Sequence, residues 1–476
     1  MGNTLDRYFK ISERGSSIGT EIRAGLVTFF AMAYIVILNP LVLGTSADHT
    51  GRILGVPQVA AATALAAGVM TIAFGLIARY PFGIATGLGI NTLVAVTLVA
   101  GQGLTWAEAM GLVVLDGIVI VILAVSGFRT AVFEAIPKDL KAAMGVGIGL
   151  FIAMIGLVDS GFVRRVPDAA HTTVPVQLGI DGSIASVPTF VFVIGLVLCG
   201  WLVIKNVRGG LFIGVIVTTI IALILEAIFH AGSSGDNGAK GWGMAVPKVP
   251  SSFFGTPDLS IVGHVSLFGA FSRIGFLAAC LLVFTLVLAN FFDAMGTMTA
   301  LGKQGKLVDE DGNLPGMKTA LVVEGAGAIV GGGASVSSNT VYVDSAAGIG
   351  DGARTGLANV VTGVLFLAAM FFTPLTQIVP IEAAAPVLVI VGALMMMQVK
   401  DIDWSRFDVA LPAFLTIVVM PFTYSIANGI GVGFVSYTIL GIAGGRAKKI
   451  HWIIWVISVL FLLYFGMEPV MNLIQG

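Results

Sequence analysis

The feature that most constrains the fold of this chain is the recurrence of long apolar stretches that carry almost no charge. A helix needs about 20 apolar residues to cross a bilayer, and fewer where it is broken or enclosed by protein. Of the 476 residues, 57% are hydrophobic and only 11% are charged, and the mean hydropathy is +0.99. One core in water cannot bury this much apolar surface. The sequence therefore predicts an all-α protein that crosses the membrane many times.

The apolar segments fall into two sets of seven. The third segment of each set is short and interrupted, with PFGIATGLGIN at 81–91 and GGGASVSSNTVYVD at 331–344. The same interruption at the same place is typical of an internal repeat, and because seven is odd the two copies must face opposite sides of the membrane. The fourteen segments are 24–44, 57–78, 84–99, 106–126, 139–158, 187–204, 209–229, 273–294, 316–332, 340–351, 354–373, 383–399, 408–426 and 428–444.

Loop charges predict the orientation of these segments. With residues 1–23 as a cytoplasmic tail, all but six of the 25 Lys and Arg residues fall on the cytoplasmic side, as the positive-inside rule requires. The polar stretches 159–186 and 230–272 are then external. A last apolar run, 450–470, is either a further span or an interfacial helix, and the side of the C-terminus depends on which. The six external residues are Arg52, Arg164, Arg165, Lys240, Lys248 and Arg273.

The eighth segment, LLVFTLVLANFFDAMGTMTA, carries two polar side chains near its end. A charged residue inside a membrane helix costs about 2.5–3.5 kcal/mol on insertion scales, so it is retained for a reason. We predict that Asp293 binds and releases a proton; the alternative is a structural acid that accepts backbone hydrogen bonds. Asn290 lies one turn earlier on the same face. Its amide donates and accepts, which suits the edge of a heterocycle, although a bond to a neighbouring helix is the alternative.

The tenth segment is expected to combine extended chain with a short helix. VSSNTVYV favours a strand, and a helix that begins near Ser345 would present its N-terminal N–H groups to a ligand. Asp344 would accept N–H donors from a ring such as guanine or hypoxanthine, or would serve only as an N-cap. In the third segment, Asn91 is the matching candidate ligand, and Gly89 allows the backbone to approach a ligand closely.

Other chemistry-bearing residues give weaker signals. Two further intramembrane acids, Asp116 and Glu324, are interpreted as structural. The five histidines fall in loops or at segment ends, and the two cysteines lie singly in apolar segments, so neither a disulfide nor a metal site is expected. A net charge of −1 gives no indication of a nucleic-acid partner. No P-loop is present, so neither a cofactor nor ATP is expected, and an ion gradient is the expected driving force.

Several stretches together resemble the AzgA-like purine permeases of the nucleobase–cation symporter and nucleobase–ascorbate transporter group. Each piece alone is weak, but their combination through most of the chain is specific. The stretches are TEIRAGLVTFFAMAYIVILNP, GLGIN, IPKDLKAAMGVGIGLFIAMIGL, FFDAMGT, SAAGIGDGARTGL and PAFLTIVVMPFTYSIANGIG.

The resemblance implies a purine nucleobase:proton symporter in the cell membrane that takes up adenine, guanine or hypoxanthine by alternating access, often as a homodimer. It also implies a division into two domains, here a core of residues 24–126 and 273–373 and a gate of residues 139–229 and 383–444. The family's binding positions match Asn91, Asn290 with Asp293, and Asp344. Two of these depart from the family's usual residues, since Asn290 replaces an acid and Asp344 replaces a glutamate.

Four alternatives remain at this stage. A uracil or xanthine permease and a sulfate-permease-like anion transporter share the implied fold, although an anion site requires cations or backbone dipoles. An intramembrane aspartyl protease is suggested by GIGD at 348–351, but it needs a second catalytic Asp, usually after Tyr, and Asp293 follows Phe. A passive channel is the fourth alternative; accumulation driven by a proton gradient would separate a symporter from it, because a channel cannot concentrate its solute. The protein is expected to be a transporter and not an enzyme.

Overall fold

The computed structural model describes the chain except for residues 1, 127–134, 166–175, 208, 244–245, 250–251, 310–313, 424 and 476. The described part is mostly helical, and eight of its helices are long and apolar enough to cross a membrane. The predicted membrane protein with many crossings is therefore confirmed at this level. Arg129 and Arg208, two of the positive charges that the sequence analysis places on the cytoplasmic side, and His171, one of its five histidines, lie outside the described residues.

The helices follow the order of the predicted segments. In chain order they are α1 (Gly2–Phe9), α2 (Ile18–Met32), α3 (Ile35–Leu43), α4 (Val56–Ile77), α5 (Leu88–Thr92), α6 (Trp106–Ser126), α7 (Lys138–Asp159), α8 (Val187–Ile204), α9 (Gly210–Phe229), α10 (Ser234–Asn237), α11 (Gly269–Ile274), α12 (Phe276–Gln304), α13 (Met317–Gly333), α14 (Ser345–Gly350), α15 (Gly356–Ala369), α16 (Ile381–Met396), α17 (Phe407–Phe422), α18 (Ile426–Ala443) and α19 (Trp452–Gln475).

The third and tenth segments are each a short strand followed by a helix. Strand β1 (Ile84–Thr86) precedes α5, which continues to Gly101 with wider π-helical turns, and strand β4 (Asn339–Val341) precedes α14. The extended chain and the helix start at Ser345 that the sequence predicts are both confirmed. The two strands pair antiparallel and are fully buried. The ladder gives backbone groups of both interrupted segments hydrogen-bond partners where no water is at hand.

Asparagines from intact helices satisfy further backbone groups of these interruptions. The amide nitrogen of Asn359 donates to the carbonyl of Phe82 at 2.6 Å, just before β1. The amide of Asn39 donates to the carbonyl of Val336 at 3.3 Å, before β4. Each broken segment is therefore held by an amide from a helix outside it, which stabilises irregular backbone inside an apolar protein.

Helices α4 and α15 pack closely because glycines line their contact. A Cβ on Gly75 would lie 2.5 Å from the carbonyl oxygen of Gly356, and a Cβ on Gly363 would lie 2.6 Å from the carbonyl oxygen of Gly68. Neither position has room for a side chain, so the backbones are in contact along this seam.

Three elements add detail to the sequence-based outline. The first segment is broken, since α2 ends at Met32 and α3 begins at Ile35, which the sequence analysis did not anticipate. A small antiparallel pair, β2 (Val163–Arg165) with β3 (Val176–Leu178), lies in the predicted external stretch 159–186. The last apolar run forms α19, whose Phe461 ring lies 6.1 Å from that of Phe284 in α12. Its 24 residues are long enough for a span.

Candidate substrate site

A cavity of about 360 Å³ lies between the interrupted segments and a second group of helices. One side is formed by residues of the first, third, eighth and tenth segments, and the other by residues of α7, α9, α16 and α18 together with the turn that follows α16. Its volume is in the range of small-molecule sites in proteins. Six polar side chains contribute to its wall, namely Tyr34, Asp293, Thr297, Tyr342, Asp344 and Gln398.

The two acids that the sequence analysis selected for binding and proton transfer both line this cavity. Asp293 comes from α12, which also contributes Thr297 one turn further on. Asp344 comes from the residue before α14, where its side chain makes no capping bond to the helix. Two chain segments that are distant in sequence thus bring their carboxyl groups to one polar surface.

Tyr34 contacts Asp344 directly. Its phenolic hydroxyl donates to the Oδ2 atom of Asp344 at 3.1 Å. Tyr34 stands at the break between α2 and α3, so its side chain leaves the helical line of the first segment and reaches the tenth. The neighbouring Tyr342, whose ring centre is 6.3 Å away, donates to the carbonyl of Thr86 at 2.9 Å.

The opposite side of the cavity is apolar except for Gln398. Ile148 and Ile152 project from α7, and Val391, Leu394 and Met395 project from α16. Gly89 of α5 also belongs to the wall, and a Cβ at that position would lie 2.8 Å from the Cγ2 atom of Ile148. Gly89 therefore keeps the third segment in close contact with α7. The close approach to a ligand that the sequence analysis expects at Gly89 stays a prediction.

Asn290 lies next to the cavity and not on its wall. Its amide nitrogen donates to Asp116 Oδ2 at 3.2 Å and to Ser338 Oγ at 2.7 Å, and the side chain is fully buried. These bonds join the eighth segment to the fourth and the tenth. The predicted ligand contact of Asn290 stays a prediction, whereas Asp116 makes the structural contact that the sequence analysis favours for it.

Asn91 and Ser345 are also buried behind the wall. Ser345 Oγ accepts a hydrogen bond from the backbone N–H of Gly83 at 2.9 Å, so it joins the tenth segment to the start of the third. Among the described residues, neither amide atom of Asn91 has a hydrogen-bond partner. A buried amide without partners is costly, which leaves Asn91 available to a ligand or a water molecule.

The sequence analysis did not select Tyr34, Thr297, Tyr342 or Gln398. The available signal was a tyrosine in the middle of the first apolar segment, in the run AMAYIVILNP. In the described part of the chain, no cluster of His, Cys, Asp and Glu is arranged to hold a metal ion.

A cavity lined by a few polar side chains and enclosed by helices of an apolar chain is the kind of site that a membrane transport protein needs. The chain belongs to the permease family, which matches it over residues 19–465. It is therefore a transporter and not an enzyme, and the family resemblance seen in the sequence is confirmed.

Named relatives match nearly the whole chain. The guanine/hypoxanthine permease PbuG of Bacillus subtilis is 37% identical over 468 residues, which are 97% of this chain and 99% of that protein. The adenine permease AdeP of Escherichia coli is 33% identical over 459 residues, which are 96% of this chain and 95% of that protein.

Solved structures match the fold at much lower sequence identity. The transmembrane domain of a cyanobacterial bicarbonate transporter, BicA, superposes with a TM-score of 0.60 at 13% identity, covering 86% of this chain and 97% of that one. The murine Slc26a9 anion transporter in its inward-facing state gives a TM-score of 0.59 at 13% identity, covering 90% and 68%. These likenesses show that the chain has the fold of these transporters, and they do not identify its substrate.

Proposed function

We propose that this protein takes up purine nucleobases together with protons by alternating access. The observation that carries the proposal is the cavity that Asp293 and Asp344 both line together with apolar side chains of α7 and α16. A purine has polar atoms around its edge and apolar faces, so it fits such a wall. The relatives PbuG, a guanine/hypoxanthine permease, and AdeP, an adenine permease, match nearly the full chain and support the same class of substrate.

In this proposal Asp344 and Asn91 bind the edge of the base. Asp344 has one oxygen engaged by Tyr34, and its other oxygen can accept from a ring N–H. Asn91 has an unpaired amide and stands two residues after the wall residue Gly89. The bonds of Asn290 and Ser345 hold the backbone that carries these groups, and the ligand contact predicted for both is retained as the alternative to be tested.

Asp293 is the proposed site of proton coupling. A carboxyl group is neutral when protonated and charged when not, and burial in an apolar protein makes that difference large. Protonation of Asp293 would remove one of the two acidic charges from this wall before the loaded cavity moves through the membrane. No histidine lines the cavity in the part of the chain that the structure describes, so a carboxyl group is the proposed carrier.

We further propose the full count of fourteen segments as an inverted repeat of seven and seven. The helix contacts support this because corresponding pairs recur. Helix α6 packs on α13, and its counterpart α15 packs on α4. Helix α7 packs on α17, and in the same way α16, the counterpart of α7, packs on α8, the counterpart of α17. The packed pair of α8 and α9 corresponds to the packed pair of α17 and α18. Contacts that repeat after a shift of seven segments are expected from a two-fold axis in the membrane plane.

The proposed domains are a core of residues 24–126 and 273–373 and a gate of residues 139–229 and 383–444. The most extensive helix contacts lie inside these two groups and not between them. The cavity lies at their boundary, where a relative movement would open it first to one side of the membrane and then to the other. A cytoplasmic N-terminus is proposed on the basis of the loop charges, and location in the cell membrane and homodimer formation are retained from the family resemblance.

The fold likeness to anion transporters makes anion transport the second candidate. In the described part of the chain, the cavity wall contains two acids and no Lys or Arg, which opposes the binding of bicarbonate or sulfate. Uptake into proteoliposomes should be measured with a radiolabelled purine, an inward proton gradient and unlabelled competitors: adenine, guanine, hypoxanthine, xanthine, uracil, sulfate and bicarbonate. Competition by adenine, guanine or hypoxanthine alone supports the proposal, whereas competition by sulfate or bicarbonate alone contradicts it.

A further inference from the structure

Tyr34 is a wall residue to which the proposed function assigns no role. It lies at the break in the first segment, is 1% exposed, and is positioned so that its hydroxyl meets one oxygen of Asp344. A buried phenol in a membrane segment needs a hydrogen-bond partner. Here the partner is Asp344, the side chain proposed to bind the base. The break that places Tyr34 therefore also determines which hydrogen-bonding atoms this part of the wall presents to a ligand.

We infer that Tyr34 is a positioning and selectivity residue that makes this part of the wall accept hydrogen bonds only, and that it thereby favours guanine over adenine. The inference rests on the proposed function, because it specifies which purine that site prefers. The hydroxyl proton of Tyr34 is used in its bond to Asp344, so the phenolic oxygen has only acceptor capacity left. An ionised carboxylate has only acceptor capacity as well.

Guanine, hypoxanthine and adenine differ in the order of hydrogen-bond donors and acceptors along their edges, and a surface that only accepts hydrogen bonds distinguishes them. Guanine carries two adjacent donors, N1–H and the 2-amino group, which match two neighbouring acceptors. Hypoxanthine carries the N1–H donor but lacks the 2-amino group. In adenine every N–H donor stands beside a ring nitrogen that accepts, so one of the wall's acceptors would face another acceptor. A site built to bind a substrate donor strongly rejects an analogue that lacks it, because buried polar groups are then left unpaired.

The test is equilibrium binding of guanine, hypoxanthine and adenine to the purified full chain, as wild type and as Tyr34→Phe. We expect the wild type to bind guanine most tightly, hypoxanthine next and adenine least. Tyr34→Phe should weaken guanine binding about tenfold, as expected for the loss of one hydrogen bond to the phenolic oxygen, and should change adenine binding little. The guanine-to-adenine affinity ratio therefore falls, which a purely structural defect would not produce.

Tyr80→Phe is the matched control. Tyr80 is a buried tyrosine away from the cavity wall, and its hydroxyl donates to the carbonyl of Pro315, so the affinity ratio should stay at the wild-type value. If Tyr34→Phe does not fold, the wild-type ranking still decides, since equal or tighter adenine binding overturns the inference. An unchanged ratio in folded Tyr34→Phe also overturns it while leaving purine transport intact. A wild type that binds no purine contradicts the proposed function itself.

Discussion

Thr86 of the third segment lies directly opposite Asn339 of the tenth, in the antiparallel pair that joins the two interrupted segments. The pair is fully buried, so the strands meet in the protein interior with the helices α5 and α14 leading away from them. Irregular backbone at this depth is tolerated only when protein encloses it. The strand pair thus fixes where two helix beginnings and the acid Asp344 stand relative to each other.

Replacing Asp293 with Asn should abolish concentrative uptake while leaving binding and exchange of the base. An amide keeps the size and polarity of the carboxyl group but cannot take up and release a proton. The measurement compares uptake driven by a proton gradient with counterflow in proteoliposomes. Asp258→Asn, in an exposed external loop, is the control. Accumulation against a gradient by Asp293→Asn would show that the coupling proton is carried elsewhere.

Replacing Asp344 with Ala should weaken purine binding by about tenfold or more, because a buried donor on the base would lose its charged acceptor. Membrane insertion should be normal, since the side chain makes no capping bond to α14. Isothermal titration calorimetry on purified protein gives the affinity. Asp403→Ala, in an exposed loop, should bind like the wild type. An affinity for purines that Asp344→Ala leaves unchanged would remove this residue from the site.

Asn290→Ala separates a structural role from the ligand contact that the sequence predicts. The change removes the amide donor to Ser338 and to Asp116 and should lower stability by about 1–3 kcal/mol. We expect a lower Tm in detergent and a smaller change in purine affinity than Asp344→Ala causes. An equal loss of affinity without a change in Tm would instead show that Asn290 contacts the base.

Gly75→Ala should destabilise the contact between α4 and α15. The new Cβ would lie 2.5 Å from the carbonyl oxygen of Gly356 and 2.7 Å from the Cβ of Asn359, so the two helices must separate. Overpacking of this kind costs about 1–3 kcal/mol. Gly350→Ala is the control, because a Cβ there meets no atom within 4 Å. Thermal unfolding of both variants tests the prediction, and equal Tm values would contradict it.

The loop acid Asp48 should make stability depend on pH. Burial tends to raise the pKa of its carboxyl group, but hydrogen bonds from Thr50, Trp106 and Arg52 outweigh burial and hold the pKa below its ordinary value. The unfolded chain then binds this proton more readily than the folded protein does. The stabilisation of the folded protein by the Asp48 carboxylate is therefore fully present above the unfolded pKa of about 3.9, and it is lost as the pH falls through the lower pKa of the folded state.

The variant Asp48→Asn tests this dependence. It should lower Tm at neutral pH, where the carboxylate accepts from the backbone N–H groups of Thr50, Arg52 and Trp106. The difference from the wild type should shrink below about pH 4. Thermal unfolding at several pH values gives the result, and a difference in Tm that grows on acidification would have the wrong sign.

The interrupted segments were predictable because their cause is local. Glycine, serine and β-branched residues at 331–344 favour extended chain over helix, and the chain forms β4 there before α14 begins at Ser345. The intramembrane acids were selected for a reason that composition alone supplies, namely the cost of a charge in an apolar segment. Of the four intramembrane acids named from the sequence, Asp293 and Asp344 line the cavity, whereas Asp116 and Glu324 are buried away from its wall.

The sequence by itself determined the membrane class, the places where segments break and the acids that are expensive to bury. Only the tertiary structure decided which polar groups share one cavity. Asn290 and Asp293 lie one turn apart on α12, yet Asp293 lines the cavity while Asn290 contacts Asp116 and Ser338. Tyr34 meets Asp344 across 310 positions of the chain. The physical reason is that side-chain partners are set by packing between distant segments, which no local pattern encodes.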